Sequence, residues 1–176
     1  MADEPKVKWF NYVSVTTIVF AVFATLSTFK GGQSSTKTVL NQLNTANTWA
    51  YYQSKDLKSY LHELQRDQIE LALKNPALPP ELASEYRKRI EAYNEKVKKY
   101  DMQKQEIEKS ARGYEQDIKD SQKHASSFGM AVIFLQIAIL LASISALMKQ
   151  IGMWWGSLVV GTIGIVYFAN GFFVFL

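Results

Sequence analysis

The sequence contains no cysteine and only two histidines. Without cysteine, disulfide bonds, thiol nucleophiles and thiolate metal sites are excluded. His62 begins a His-Glu pair like that of a zinc-protease helix, but the second histidine of that motif is missing. Lys30-Gly31-Gly32 lacks the Walker phosphate-loop pattern. We therefore expect no catalytic residue, metal or cofactor, and we interpret the protein as not an enzyme.

Only five of the 36 charged residues lie outside the stretch from Lys30 to Lys123. The stretch from Lys30 to Lys123 holds 17 basic and 14 acidic residues, with the two signs interspersed. Such mixing is typical of a solvated helix surface rather than of a nucleic-acid interface, so we expect no nucleic-acid partner.

Three uncharged stretches, 9–29, 128–148 and 154–176, are each long enough to cross a membrane as a helix. About 20 helical residues suffice for a hydrocarbon core of ~30 Å. The turn at 149–153 then joins the last two spans, and 1–8 forms an N-terminal tail. This pattern predicts a multi-pass protein whose first partner is membrane lipid. A cleaved signal peptide is the alternative for the first stretch, and its length disfavours it.

The orientation is predicted from the residues that flank the spans. Three spans place the N-terminus and the 149–153 turn on one side, together with Trp9, Trp154 and Trp155, as an aromatic belt requires. The short segments on that side carry three lysines, which predicts a cytoplasmic N-terminus and an extracytoplasmic segment 30–127. Basic residues at the opposite ends of the spans argue the other way: Lys30, Lys37, Lys119 and Lys123.

Residues 30–127 are predicted to form a soluble helical hairpin. Gly31-Gly32 predicts a break after the first span. The arms are then expected at about 34–75 and 80–127, because the four prolines of the sequence include three at the turn, 75–80. The last of these prolines suits the first position of the second arm, which is expected to continue into the second span.

Apolar residues recur with 3-4 spacing along both arms, which predicts an antiparallel coiled-coil seam. Polar residues interrupt it at Asn47, Ser54, Gln68 and Lys104. We interpret the tyrosines of the seam as core packing rather than as a track for an aromatic ligand. Folding about the turn pairs Leu71 with Tyr86, Leu64 with Tyr93, Leu57 with Tyr100, and Leu43 with Tyr114.

Four large aromatic residues lie off this predicted seam, namely Trp49, Tyr51, Tyr52 and Tyr60. A monomer would expose them, and exposed apolar patches mark interfaces. We therefore expect them to join copies of the chain in a homo-oligomer, with another membrane protein as the alternative partner.

Within the spans, small residues favour close helix packing, and the main candidates are Ala21, Ala24, Gly161 and Gly164. Gln136 and Asn170 are the candidate polar residues inside the membrane. We expect interhelical hydrogen bonds from them, and the alternative is a pore or substrate path.

The stretch Ala46-Asn47-Thr48-Trp49-Ala50-Tyr51-Tyr52-Gln53-Ser54-Lys55, continued through Leu61-His62-Glu63-Leu64, resembles a bacterial family of small membrane proteins known as domain of unknown function 4337. The order of parts resembles that family across nearly the whole chain. The resemblance implies the same architecture and a bacterial inner-membrane location, and it implies no site residues.

These patterns predict an all-α membrane protein with three transmembrane helices and a long antiparallel coiled-coil hairpin between the first and second. The function we expect is structural or scaffolding, through self-association. The alternatives are a channel or transporter subunit that encloses a path between protomers, and an accessory or sensor subunit of a membrane complex.

Overall fold

The computed structural model describes residues 9–174, and these residues form three α-helices without any strand. Helix α1 is Trp9–Leu73, α2 is Pro80–Met148 and α3 is Ile151–Phe173. Each is long and apolar enough in part to cross a membrane. The predicted N-terminal tail, 1–8, and the last two residues of the predicted third span lie outside the described residues.

Helix α1 passes through Gly31-Gly32 without interruption, so the predicted break there is wrong. Two glycines in a helix cost about 1 kcal/mol each relative to alanine, which packing can outweigh. Gly31 has such a packing role: a Cβ built on it would lie 3.2 Å from the Cβ of Phe128 on α2. The glycine therefore allows α1 and α2 to approach closely.

The turn between α1 and α2 is built where the prolines predict it. Helix α1 ends at Leu73, and the side-chain oxygen of Asn75 accepts a hydrogen bond from the backbone N–H of Ala77 at 3.0 Å. Pro80 is the first residue of α2, a position where a missing N–H costs nothing. As expected, α2 then continues unbroken into its apolar C-terminal part.

The second turn is shorter than the predicted 149–153. Lys149 adopts a left-handed backbone conformation with φ of 55°, and the N–H of Gln150 donates to the carbonyl of Ser145 at 3.1 Å. This is the Schellman pattern that ends helices, here with lysine in place of the usual glycine. Helix α3 begins directly afterwards at Ile151.

The chain divides into two compact units. The apolar unit contains the described residues up to Leu40 and those from Asp117 onward, and the charged unit is Asn41–Gln116. The apolar unit has a core where all three helices contribute side chains. Its buried centre consists of Phe20, Ala131, Leu135 and Ala138.

Candidate functional site

In the charged unit, α1 and α2 contact each other in antiparallel order. Three side-chain pairs show this order, because their residue numbers rise on α1 as they fall on α2. The register of the two helices is shifted by three residues from the predicted one. The pairs are Asp56 with Lys104 at 2.8 Å, Ser59 with Asp101 at 3.5 Å and Arg66 with Asn94 at 3.3 Å.

Lys104 is largely buried in this contact, with 18% of its side chain exposed. Its ammonium group lies 2.8 Å from a carboxylate oxygen of Asp56 on α1 and 3.0 Å from one of Asp101 on its own helix. The hydrogen bonds to Asp56 and then to Asp101 raise the pKa of Lys104 above its ordinary range, against the opposing effect of partial burial. The charge of Lys104 at this seam position is therefore balanced by carboxylates from both helices.

Trp49 belongs to the same internal contact. Its indole N–H donates to Oε1 of Glu115 on α2 at 3.0 Å, and its ring packs edge-to-face against Tyr52 with 5.4 Å between centroids. Both aromatic residues are partly buried. The expectation that a single protomer exposes all four aromatic residues therefore holds for Tyr51 and Tyr60 but not for Trp49 and Tyr52, and contact with other copies stays a prediction.

The predicted seam tyrosines are partly buried on α2, but their partners on α1 differ from those expected. Tyr93 and Tyr100 both stack on the ring of His62, with centroids 5.6 Å and 5.8 Å away. Tyr86 and Tyr114 are partly buried as well. Nothing in the sequence near His62 indicates that two aromatic residues of another helix stack on its ring.

The leucines predicted for the seam lie outside the contact, so that half of the prediction is wrong. They are 44% to 64% exposed, as is the neighbouring Leu61. Together these residues form what we call the leucine face of α1: Leu43, Leu57, Leu61, Leu64 and Leu71.

The leucine face lies opposite the internal contact because of helix geometry. Residues of α1 that are at least partly buried in the charged unit, such as Asn41, Tyr52, Ser59 and Arg66, recur with their own 3-4 spacing. At about 100° per residue, Leu57 points roughly 140° to 180° away from Tyr52, Ser59 and Arg66 on that row. Helix α1 thus carries two heptad rows, and α2 covers the polar one.

In the apolar unit, the predicted glycines pack within one protomer. A Cβ at Gly161 of α3 would overlap the ring of Phe20 on α1, and a Cβ at Gly164 would lie 2.8 Å from Leu135 on α2. Ala24 packs against the core, while Ala21 is exposed. Ala21 instead lines an open apolar groove along α1, with Ile18, Val22, Thr25 and Leu26.

The two predicted polar residues of the spans have different surroundings. Asn170 is buried, and its amide donates to Ser127 Oγ at 2.9 Å, which is the interhelical hydrogen bond expected. Gln136 is exposed on α2 and makes no hydrogen bond within the described part of the chain. Asn170 therefore contributes to the protomer core, and Gln136 does not.

No group of three or more His, Asp or Glu residues within 9–174 is placed to hold a metal ion. The fold defines an all-helical protein with three helices long and apolar enough to cross a membrane. The family described as "Domain of unknown function (DUF4337)" matches residues 9–174, and the chain belongs to this family. Comparison with curated proteins and with solved structures gives no match.

Proposed function

We propose that this protein is a non-enzymatic membrane protein that self-associates into a homo-oligomer and acts as a structural scaffold. The observation that carries the proposal is the exposed leucine face of α1. Apolar residues at 3-4 spacing form the knobs of a helix-to-helix contact, and α2 leaves this row uncovered. None of the positions that continue the row from Leu43 to Leu71 is charged.

The apolar unit is proposed to lie in the membrane. Its surface supports this, because large apolar side chains there are exposed on all three helices, among them Ile18, Val22, Leu140, Val159 and Phe173. In water such a surface is costly, whereas lipid solvates it. Gln136 adds an argument for assembly, since an amide facing lipid lacks a hydrogen-bond partner that a neighbouring chain supplies.

The charged unit is proposed to be an antiparallel coiled-coil hairpin with two contact surfaces. Its internal seam joins α1 to α2 through the Lys104 and His62 contacts. Its outer side is the leucine face, with the exposed Tyr51 and Tyr60 beside it. On this proposal, copies in one membrane meet through α1, because inserted chains share one orientation.

We propose the bacterial inner membrane as the location, with a cytoplasmic N-terminus and an extracytoplasmic hairpin. The absence of natural cysteine makes the test direct. A single cysteine at the exposed Ser110, labelled in intact cells by a membrane-impermeant maleimide, is expected to react. If the cysteine reacts only after lysis, the hairpin lies in the cytoplasm and the proposed orientation is wrong.

Self-association is tested by mass measurement in mild detergent. The unmodified chain is expected to exceed its protomer mass of 20.0 kDa by a whole-number factor. Leu57→Glu is expected to weaken assembly about tenfold or more, because a buried leucine contributes ~1.5–3 kcal/mol. The matched control is Met102→Glu, which places the same charge at an exposed apolar residue of α2. A 20.0 kDa particle for the unmodified chain would overturn the proposal.

A second candidate, a channel or transporter subunit, is favoured by the exposure of Gln136 alone. If copies enclose a path, Gln136→Leu should reduce solute flux in proteoliposomes while assembly persists. If the amide only joins copies, the same substitution weakens assembly and no flux is present to lose.

A further inference from the structure

We infer that the apolar unit binds the phosphate group of an anionic phospholipid between the three helices, at a cavity lined by Lys30, Gln33, Ser34, His124, Phe128, Gly171 and Phe172. The cavity has a volume of about 240 Å³. This inference rests on the proposed membrane location and adds a ligand class to it.

The chemistry of the cavity wall selects an anion. Lys30, Gln33 and Ser34 lie at i, i+3 and i+4 on one face of α1, so their polar groups converge. Lysine ammonium, glutamine amide and serine hydroxyl are all hydrogen-bond donors, and no carboxylate lines the cavity. Four lysines stand against two aspartates in 30–37 and 117–124.

His124 contributes a ring with one fixed hydrogen bond. Its Nδ1 lies 2.8 Å from the carbonyl oxygen of Gly171. Because a carbonyl only accepts, Nδ1 carries the hydrogen, and Nε2 is left for another partner. This contact also caps the C-terminal end of α3, because it pairs a carbonyl that would otherwise repel an anion.

Capping accounts for His124 but leaves Lys30 unexplained. Within residues 9–174 the Lys30 ammonium makes no ion pair or hydrogen bond, and its one described contact is with the Phe172 ring, 6.0 Å away. The side chains of Gln33 and Ser34 likewise make no hydrogen bond within the same described range. A phosphate group would satisfy these three donors together, as lysine and hydroxyl groups do in phosphate sites.

The position along the helices fits a lipid headgroup better than a free anion. Lys30 is the first charged residue after the apolar start of α1, His124 precedes the apolar part of α2, and α3 ends at Phe173. The cavity thus lies where three apolar helix segments stop, at the depth of lipid phosphates. The exposed ring of Phe172 offers an apolar surface for the adjoining acyl chain.

The test uses the full chain in nanodiscs that contain phosphatidylcholine and phosphatidylglycerol, followed by native mass spectrometry of the retained lipid. Wild type is expected to retain phosphatidylglycerol preferentially. Lys30→Gln should lower that retention about fivefold, the effect of one lysine at an anionic surface. Lys30→Arg should preserve it. Lys37→Gln, an equal loss of charge on α1 outside this cavity, should leave it unchanged.

Two outcomes of the retention measurement overturn the inference while leaving the membrane proposal intact. One is equal retention of both lipids by wild-type protein that has entered the nanodisc. The other is an equal loss of phosphatidylglycerol in Lys30→Gln and Lys37→Gln, which would indicate a diffuse charge effect. Inorganic phosphate is added as a separate competitor, and displacement of lipid by it would overturn the assignment to a lipid. A chain that does not enter the nanodisc contradicts the proposed function itself.

Discussion

The ammonium group of Lys104 and the carboxylate of Asp56 face each other across the two helices of the charged unit, 2.8 Å apart. Asp101 approaches the same ammonium group at 3.0 Å. A lysine at a seam position would be unfavourable beside leucine, but here it joins a carboxylate from each helix. The pair therefore fixes which turn of α1 lies against which turn of α2.

Reversing the charge of Lys104 should destabilise the charged unit. Lys104→Glu places a third carboxylate between Asp56 and Asp101 and removes two charge-assisted hydrogen bonds, so we expect the unfolding free energy to fall by about 2–3 kcal/mol. Thermal unfolding followed by far-ultraviolet circular dichroism measures this. Lys99→Glu makes the same charge change at an exposed position of α2 and should have little effect. Equal destabilisation by both substitutions would contradict the pairing.

The same contact predicts a dependence on alkaline pH. Because Asp56 and Asp101 raise the pKa of Lys104, the folded chain holds its proton more tightly than the unfolded chain does. The stabilisation is therefore fully present below the unfolded lysine pKa of about 10.4, and it decreases as pH rises through the folded value. The difference in unfolding free energy between wild type and Lys104→Met should be constant up to that pH and shrink above it. A difference that grows with rising pH would contradict the sign.

The positions of the turns and helices can be predicted from local sequence. Which helix or chain packs against each helix face cannot. Asn75 and Pro80 end and start helices through their own backbone and side-chain chemistry, so they are readable from sequence. The leucine face is also readable as a heptad row. Spacing alone, however, does not say whether the row faces α2 or another chain, and Lys104 pairs with a carboxylate 48 residues away.

The helix break at Gly31 was predicted from propensity and failed for a related reason. A glycine favours a helix break only when no tertiary contact stabilises the helical backbone. Here the packing of Phe128 against Gly31 provides such a contact. The stack of Tyr93 and Tyr100 on His62 is equally tertiary. In each case the deciding neighbour comes from another helix.

Trp49 and Glu115 provide a test of the internal contact that needs no charge reversal. Glu115→Leu removes the acceptor of the indole N–H and should lower the unfolding free energy by about 1–2 kcal/mol, because a partly buried donor loses its partner. Glu115→Gln keeps a side-chain oxygen at that place and should retain most of the stability. Measured by thermal unfolding, equal losses in both variants would show that the hydrogen bond is not what Glu115 contributes.

Gly161 tests the packing of α1 against α3 in the apolar unit. Gly161→Ala places a methyl group where the Phe20 ring lies, so the ring must move, and we expect a loss of about 1–3 kcal/mol. Gly156→Ala on the same helix adds its methyl group to open space and should be neutral or slightly stabilising. Combining Gly161→Ala with Phe20→Leu should recover part of the loss, because the smaller side chain leaves room for the methyl group. Phe20→Leu alone is the fourth variant. Thermal unfolding in detergent compares all four variants with wild type. If Phe20→Leu and Gly161→Ala simply add, α1 and α3 do not meet at these residues, and the core assigned to the apolar unit is wrong at its centre.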